Sequence, residues 1–314
     1  MNRLIKQVGL ILLIAFSGMM VVAPLVFDRA DATLAYLILY FIALASSWNI
    51  LSGFTGYINF GHAAFMGVGM YATAISIADF SLWWPVSWIL GGVFAATFAL
   101  IVGLPVLRTK GPYFAITMLA VAEGTRVLFG TRYMEPITRA GDGIAFSPGI
   151  SFQTKYYGML VTVALCVWVS YKISTSQFGL RLMAIREDEE AAESMGINST
   201  RLKISAFTIS AFFAGLAGGI HSTFLHYVDP FHTFNIQFTI IPIVMAVFGG
   251  VGTVLGPVIG GTVLQVLNDF IWAHFLQLNM AVFGVLLAAL ILFLPQGLLE
   301  WMKEMRWVEK TRKI

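Results

Sequence analysis

The chain has 314 residues, 58% of them hydrophobic and only 11% charged, where soluble domains carry about 25% charged residues. Sixteen acidic and nineteen basic side chains cannot clothe a water-facing surface of this size, and the mean hydropathy is +0.83, so soluble enzymes, nucleic-acid binders and disordered scaffolds are excluded and an integral membrane protein is expected. The net charge of +3 carries no nucleic-acid signal, because in such a chain the informative quantity is where basic residues fall relative to the spans.

The first apolar run, Val8 to Phe27, is about 20 residues without a charge, enough to cross a ~30 Å hydrocarbon core as a helix. Arg3 and Lys6 precede it, and Ala30 and Ala32 follow in an A-x-A arrangement. A cleaved signal peptide is the alternative. The run exceeds a signal h-region, and Asp28 and Arg29 separate it from the candidate cleavage site, so a retained anchor is expected. Further runs of bilayer-spanning order cover Thr33–Leu51, His62–Ala78, Val86–Leu107, Tyr113–Gly130, Tyr156–Ile173 and Ile204–Tyr227. No charge occurs from His232 to Asn268, too long for one helix, so two shorter helices bent at Gly249, Gly250 and Gly252 are expected. A last run, Asn279–Leu294, ends at Pro295.

These runs predict an all-α transmembrane bundle of about ten spans with both termini cytoplasmic. That arrangement puts fourteen of the nineteen basic residues inside: Arg3, Lys6, Arg108, Lys110, five from Lys172 to Lys203 and five from Lys303 to Lys313. Making the 232–268 stretch a single crossing would send the basic C-terminal tail outward, against the positive-inside bias. Residues 1–314 then form one transmembrane domain. An external loop at 131–155 is rich in Gly and Pro, and a cytoplasmic loop at 174–203 carries the densest charge.

That cytoplasmic loop reads Arg186, Glu187, Asp188, Glu189, Glu190, Ala191, Ala192, three residues, then Gly196. The acidic start and alanines favour a short helix with carboxylates at its positive dipole end. Gly196 can adopt the left-handed conformation that ends it. An ordinary solvated connector has the same composition. The spacing E-A-A-x-x-x-G, however, resembles the EAA loop of bacterial ABC importer permeases. Ile197 is followed here by Asn198, Ser199 and Thr200 in place of the I-x-L-P seen in many importers.

Four longer stretches are similar to the branched-chain amino acid permeases of the LivM type: Leu51-SGFTGYINFGHAAFMGVG-Met70, Arg108-TKGPYFAITMLA-Val121, Ala184-IREDEEAAESMGI-Asn198 and Phe207-TISAFFAGLAGGI-His221. The resemblance implies a multi-pass permease of the bacterial inner membrane that imports leucine, isoleucine, valine or related amino acids. Its partners would be two P-loop ATPase subunits, a paralogous permease and an external substrate-binding protein. Arg186, Glu187, Asp188, Glu190, Ala191, Ala192 and Gly196 would form the ATPase-coupling loop.

Two glycine clusters, Gly53, Gly56, Gly61, Gly67 and Gly69, then Gly249, Gly250, Gly252, Gly256, Gly260 and Gly261, admit two readings: close helix packing, or unwound backbone facing a permeant. Gly53, Gly56, Asn59, Gly61, His62, Gly249, Gly250 and Gly252 are the candidate pathway residues. Asn59 and His62 could meet a zwitterion or another helix. Ala211, Gly215 and Gly219, spaced by four, predict a helix–helix contact. Glu123 and Arg126 share a helical face, and structural pairing is the preferred reading. The histidines make no HExxH pair, the single cysteine, Cys166, excludes a disulfide framework, and no G-x-S-x-G or G-x-x-x-x-G-K-[ST] motif occurs. No cofactor or metal is therefore expected, and any ATPase must be a separate polypeptide. An ion-coupled secondary transporter of small zwitterions is the competing function, weakened because Glu123 is nearly the sole intramembrane carboxylate. An ABC permease for urea or short amides is another alternative, and a membrane enzyme is disfavoured for want of a nucleophile–base or metal cluster.

Overall fold

The computed structural model describes residues 18–147, 149–274 and residue 284. The expected span at Val8–Phe27 is described only from residue 18, as a helical segment over 18–26 (α1). Apart from residue 284, the expected span at Asn279–Leu294 lies outside the described residues.

In chain order the helices are α2 (Arg29–Thr55), α3 (His62–Ala78), α4 (Trp84–Val106), α5 (Pro112–Phe129), the one-turn α6 (Glu135–Thr138), α7 (Phe152–Thr175), α8 (Gln177–Glu187), α9 (Glu189–Ser194), α10 (Ser199–Leu225), the one-turn α11 (Pro230–Thr233), α12 (Gln237–Gly249) and α13 (Gly256–His274). A two-residue antiparallel ladder, β1 (Ile144–Ala145) with β2 (Tyr227–Val228), pairs Ile144 with Val228 and Ala145 with Tyr227. The protein is an all-α membrane bundle. Among the described residues, five stretches are long and apolar enough to cross a bilayer: Arg29–Thr55, Trp84–Val106, Phe152–Thr175, Ser199–Leu225 and Pro230–Gly249. His62–Ala78 is a shorter apolar helix.

The helices stop and start where the sequence chemistry requires. α2 ends on Gly56 at φ +76, whose N–H returns to Ser52 O. Ser151, Ser176, Asp188, Asn198 and Asp229 each use a side-chain oxygen to cap the helix that follows. Pro112 opens α5, where its missing N–H costs nothing.

α2 and α10 form the buried centre, while α4 and α7 lie outside them. Tyr36 and Tyr40 of α2 stack against His221 of α10, the Tyr40 and His221 rings 4.0 Å apart, and Tyr40 donates to Met66 Sδ at 2.8 Å. The expected contact at Ala211, Gly215 and Gly219 is present. A Cβ at Gly69 would lie 2.2 Å from Gly215 O, and one at Gly215 would lie 2.3 Å from Ala95 Cβ. Hydrogen at these positions lets α3, α4 and α10 meet backbone to backbone, the main source of attraction when lipid is as apolar as the side chains.

The uncharged stretch beyond His232 divides as expected. α12 ends at Gly249, the chain turns through Gly250 and Gly252, both at positive φ, and α13 runs back from Gly256. The two helices touch closely enough that a Cβ on Gly260 would fall 1.9 Å from Met245 O. The 174–203 loop holds the expected short acidic helix as α9 and, beyond expectation, a second helix, α8, directly before it. Asp188 is extended (φ −158, ψ 110) and its Oδ1 accepts from the N–H groups of Glu190 and Ala191, so its capping preference breaks the helix and restarts it. The 131–155 segment also holds more structure than expected, namely α6, β1 and the first turn of α7.

Candidate functional site

A dense polar construction lies at the end of the bundle where α2 and α8 stop and α3 and α9 start. Its first component joins the two glycine clusters. Asn49, on α2, accepts from Gly252 N and donates to Thr253 O, both at 2.8 Å. One planar amide thereby satisfies one backbone N–H and one backbone C=O of the turn between α12 and α13. Gly53, one turn further along α2, sits against that turn, and a Cβ on it would lie 2.9 Å from Gly252 N. Arg186, at the end of α8, donates through Nη1 to Gly53 O at 2.8 Å. A Cβ on Gly252 would lie 2.4 Å from that same nitrogen. Arg186, Gly53 and Gly252 are therefore one junction, with Gly56 packed on the Arg186 side chain.

The second component is a buried charge. Lys203, in the first turns of α10, is 2% exposed. Its ammonium donates to Glu189 Oε1 at 2.6 Å, to Tyr57 Oη at 3.0 Å and to Leu107 O at 3.4 Å, and it lies 4.3 Å from the centre of the Tyr57 ring. Tyr57 in turn donates its hydroxyl to Glu189 Oε2. Burial alone would raise the Glu189 carboxyl, but the hydrogen bonds from Lys203 and Tyr57 and the Lys203 charge outweigh it and hold it below its usual range. Burial, with the adjoining Glu189, pushes the Tyr57 hydroxyl well up, so it stays a donor.

The expected coupling-loop residues surround this core. Glu187 and Ala191 are exposed, and Ala192 is buried. Glu190 is 86% exposed and reaches Lys110 of the α4–α5 link at 3.5 Å, a weak solvated pair. Gly196 ends α9 at φ +82, with Ile197 N returning to Ala192 O. Met195 stands 84% exposed. A cleft of about 640 Å³ opens between α9 and the α2–α3 and α4–α5 links, walled by Ile58, Phe60, Pro112, Ile185 and the charged groups of the loop.

The remaining pathway candidates are packed inside the bundle. Asn59 accepts from Gly61 N at 2.8 Å, and its own N–H donates to Ser52 Oγ at 3.1 Å. His62 Nε2 lies 3.1 Å from Ser47 Oγ. Asn59 Nδ2 and His62 Nδ1 are buried without a hydrogen-bond partner among the described residues. Gly61 lies against Met118 of α5, and Gly249 against Gly256 O. Glu123 and Arg126 form the expected ion pair on α5, with Arg126 also 5.8 Å from the centre of the Phe231 ring.

Sequence reasoning missed Asn49, Tyr57, Glu189 and Lys203. Asn49 carried a signal as a lone amide in an apolar run, and Lys203 as a lysine at the start of a span, where a buried charge demands a partner. Glu189 was hidden by its acidic neighbours, since the spacing to Gly196 selects Glu190.

The chain resembles the high-affinity branched-chain amino acid transport system permease LivM of Salmonella typhimurium, at 28% identity over 88% of this chain and 71% of that protein. It matches LivM of Escherichia coli K12 at 27% over 91% and 74%. It also matches the LivH permease of Salmonella typhimurium at 25%, over 82% and 90%. No solved structure matches it. The family described as branched-chain amino acid transport system / permease component matches residues 30–294, covering α2 from its second residue through all of α13 and every polar group of this junction. The chain belongs to that permease family.

Proposed function

We propose that this protein is the membrane-spanning subunit of an ATP-driven importer for leucine, isoleucine and valine or closely related amino acids. The observation that carries the reading is the two-faced character of α9. Glu190, Ala191 and Met195 turn outward, while Glu189 is tied inward to Lys203 and, through Arg186, the adjoining α8 is tied to α2. A motor docked on the outer face would move the spans, because its contact element is bonded to them. The coupling-loop residues Arg186, Glu187, Asp188, Glu190, Ala191, Ala192 and Gly196 are assigned to that contact.

In this reading the chain crosses the inner membrane about ten times with both termini in the cytoplasm. The α12–α13 hairpin supports it, since both helices turn at the end that carries α8 and α9. ATP hydrolysis belongs to two separate P-loop subunits, and an external binding protein delivers the ligand. Similarity to both LivM and LivH relatives supports pairing with a paralogous permease. The two glycine clusters, with Asn59 and His62, form the moving junction beside the pathway. Similarity to the LivM and LivH relatives supports leucine, isoleucine and valine as the substrates. Proteoliposomes carrying the complete complex should accumulate leucine only with ATP inside and the ATPase subunits present. ATP-independent accumulation driven by a proton or sodium gradient would overturn the reading.

A further inference from the structure

Burying an ammonium is costly unless its partners are well placed, and replacing a buried ion pair by apolar groups is often harmless to stability. Lys203 is nevertheless buried, and its three acceptors come from three different places: Glu189 in the first turn of α9, Tyr57 in the link before α3, and Leu107 at the end of α4. Tyr57 closes the arrangement by donating to the second Glu189 oxygen. One charged group therefore ties the exposed helix to the two links that precede α3 and α5. Hydrophobic packing could hold these elements together, but it would let them slide; directional bonds to a shared ammonium transmit displacement.

We infer that Lys203, Glu189 and Tyr57 are the positioning residues that carry movement of α9 into the α2–α3 and α4–α5 links, and so couple hydrolysis to opening of the permease. The inference rests on the importer reading above. Displacement of α9 by the motor pulls Glu189; Lys203 follows, and with it Tyr57 at the start of the α3 link and Leu107 at the start of the α5 link. Arg186 supplies a separate tie to α2 and does not touch this group of bonds.

The test is the amount of leucine moved per ATP hydrolysed by the reconstituted complete complex. It compares wild type with Glu189→Gln, which keeps size and loses charge, Tyr57→Phe, which loses one donor, and Lys203→Met. Glu189→Gln and Tyr57→Phe should assemble and hydrolyse ATP, yet deliver about tenfold less leucine per ATP, the scale of a typical coupling free energy. The Glu189→Gln/Lys203→Met pair should cost no more than either change alone. If Lys203→Met fails to assemble, the two near-isosteric variants carry the test. A merely structural role would lower Tm and yield while leaving leucine per ATP at the wild-type value, and that result overturns the inference. A wild-type complex that moves no leucine with ATP would instead overturn the importer reading itself.

Discussion

Arg186 Nη1 lies 2.8 Å from the carbonyl oxygen of Gly53, joining residues 133 positions apart in sequence. The contact requires that Gly53 and Gly252 carry no side chain, because each would place a Cβ within 3 Å of the other's backbone. The charged loop and both glycine clusters are thereby one construction.

Gly252 has φ +78 and its missing Cβ faces Arg186 at 2.4 Å. Gly252→Ala should therefore cost about 1–3 kcal/mol from backbone strain alone, with further loss from displacing Arg186. Thermal unfolding of the detergent-purified protein should show a lower Tm, and uptake should fall with it. Gly196→Ala is the control: its φ of +82 is also strained, but a Cβ there meets nothing, so the smaller loss is expected.

Glu190 and Gly196 lie on the outward side of the loop. Glu190→Lys, or a bulky residue at Gly196, should leave membrane insertion intact and uncouple ATP hydrolysis from uptake. Unchanged uptake in both variants would remove the loop from the motor contact.

The five long apolar spans were readable because twenty-residue apolar runs have few other uses, and the Gly249–Gly252 break was readable because no single helix fits so long an uncharged stretch. Asp188 shows where reading fails. Within an acidic run its propensity looks like that of its neighbours, and only the capping geometry reveals it as the point where α8 stops and α9 starts. Lys203 likewise counts as one more cytoplasmic basic residue until the fold brings Glu189, Tyr57 and Leu107 around it. Composition locates charges along the chain, but the tertiary structure decides which are solvated and which are bound.

Glu189 gives a pH dependence with a definite sign. Its folded-state pKa is held below the ordinary value of 4.5 by Lys203 and Tyr57 despite burial, so its contribution is fully present above that value and is lost as pH falls through the lower, folded one. A spin label at Ser194, with Cys166→Ala to remove the native thiol, should report constant mobility from about pH 8 to 5 and a rise at more acidic pH. In Glu189→Gln the rise should be absent. Mobility that changes across neutral pH would contradict the assignment.

Topology can be checked by single cysteines in the same Cys166→Ala background. Ser194 should label only from the cytoplasmic side and Gly143, beside the β1–β2 ladder, only from outside. The reverse pattern would invert the bundle.

Substrate choice is tested by competition against leucine uptake in cells carrying the complete system. Leucine, isoleucine and valine should compete strongly, and lysine, glutamate and urea should not. Competition by urea with none by leucine would replace the substrate while leaving the importer reading in place.

The most direct test of the central claim uses Met195, 84% exposed on the outer face of the loop. A photo-crosslinking amino acid at that position, in membranes containing the assembled transporter, should capture the ATPase subunit in high yield, and ATP should change that yield. A crosslink to lipid alone, or none, in a preparation that still takes up leucine with ATP would contradict the account.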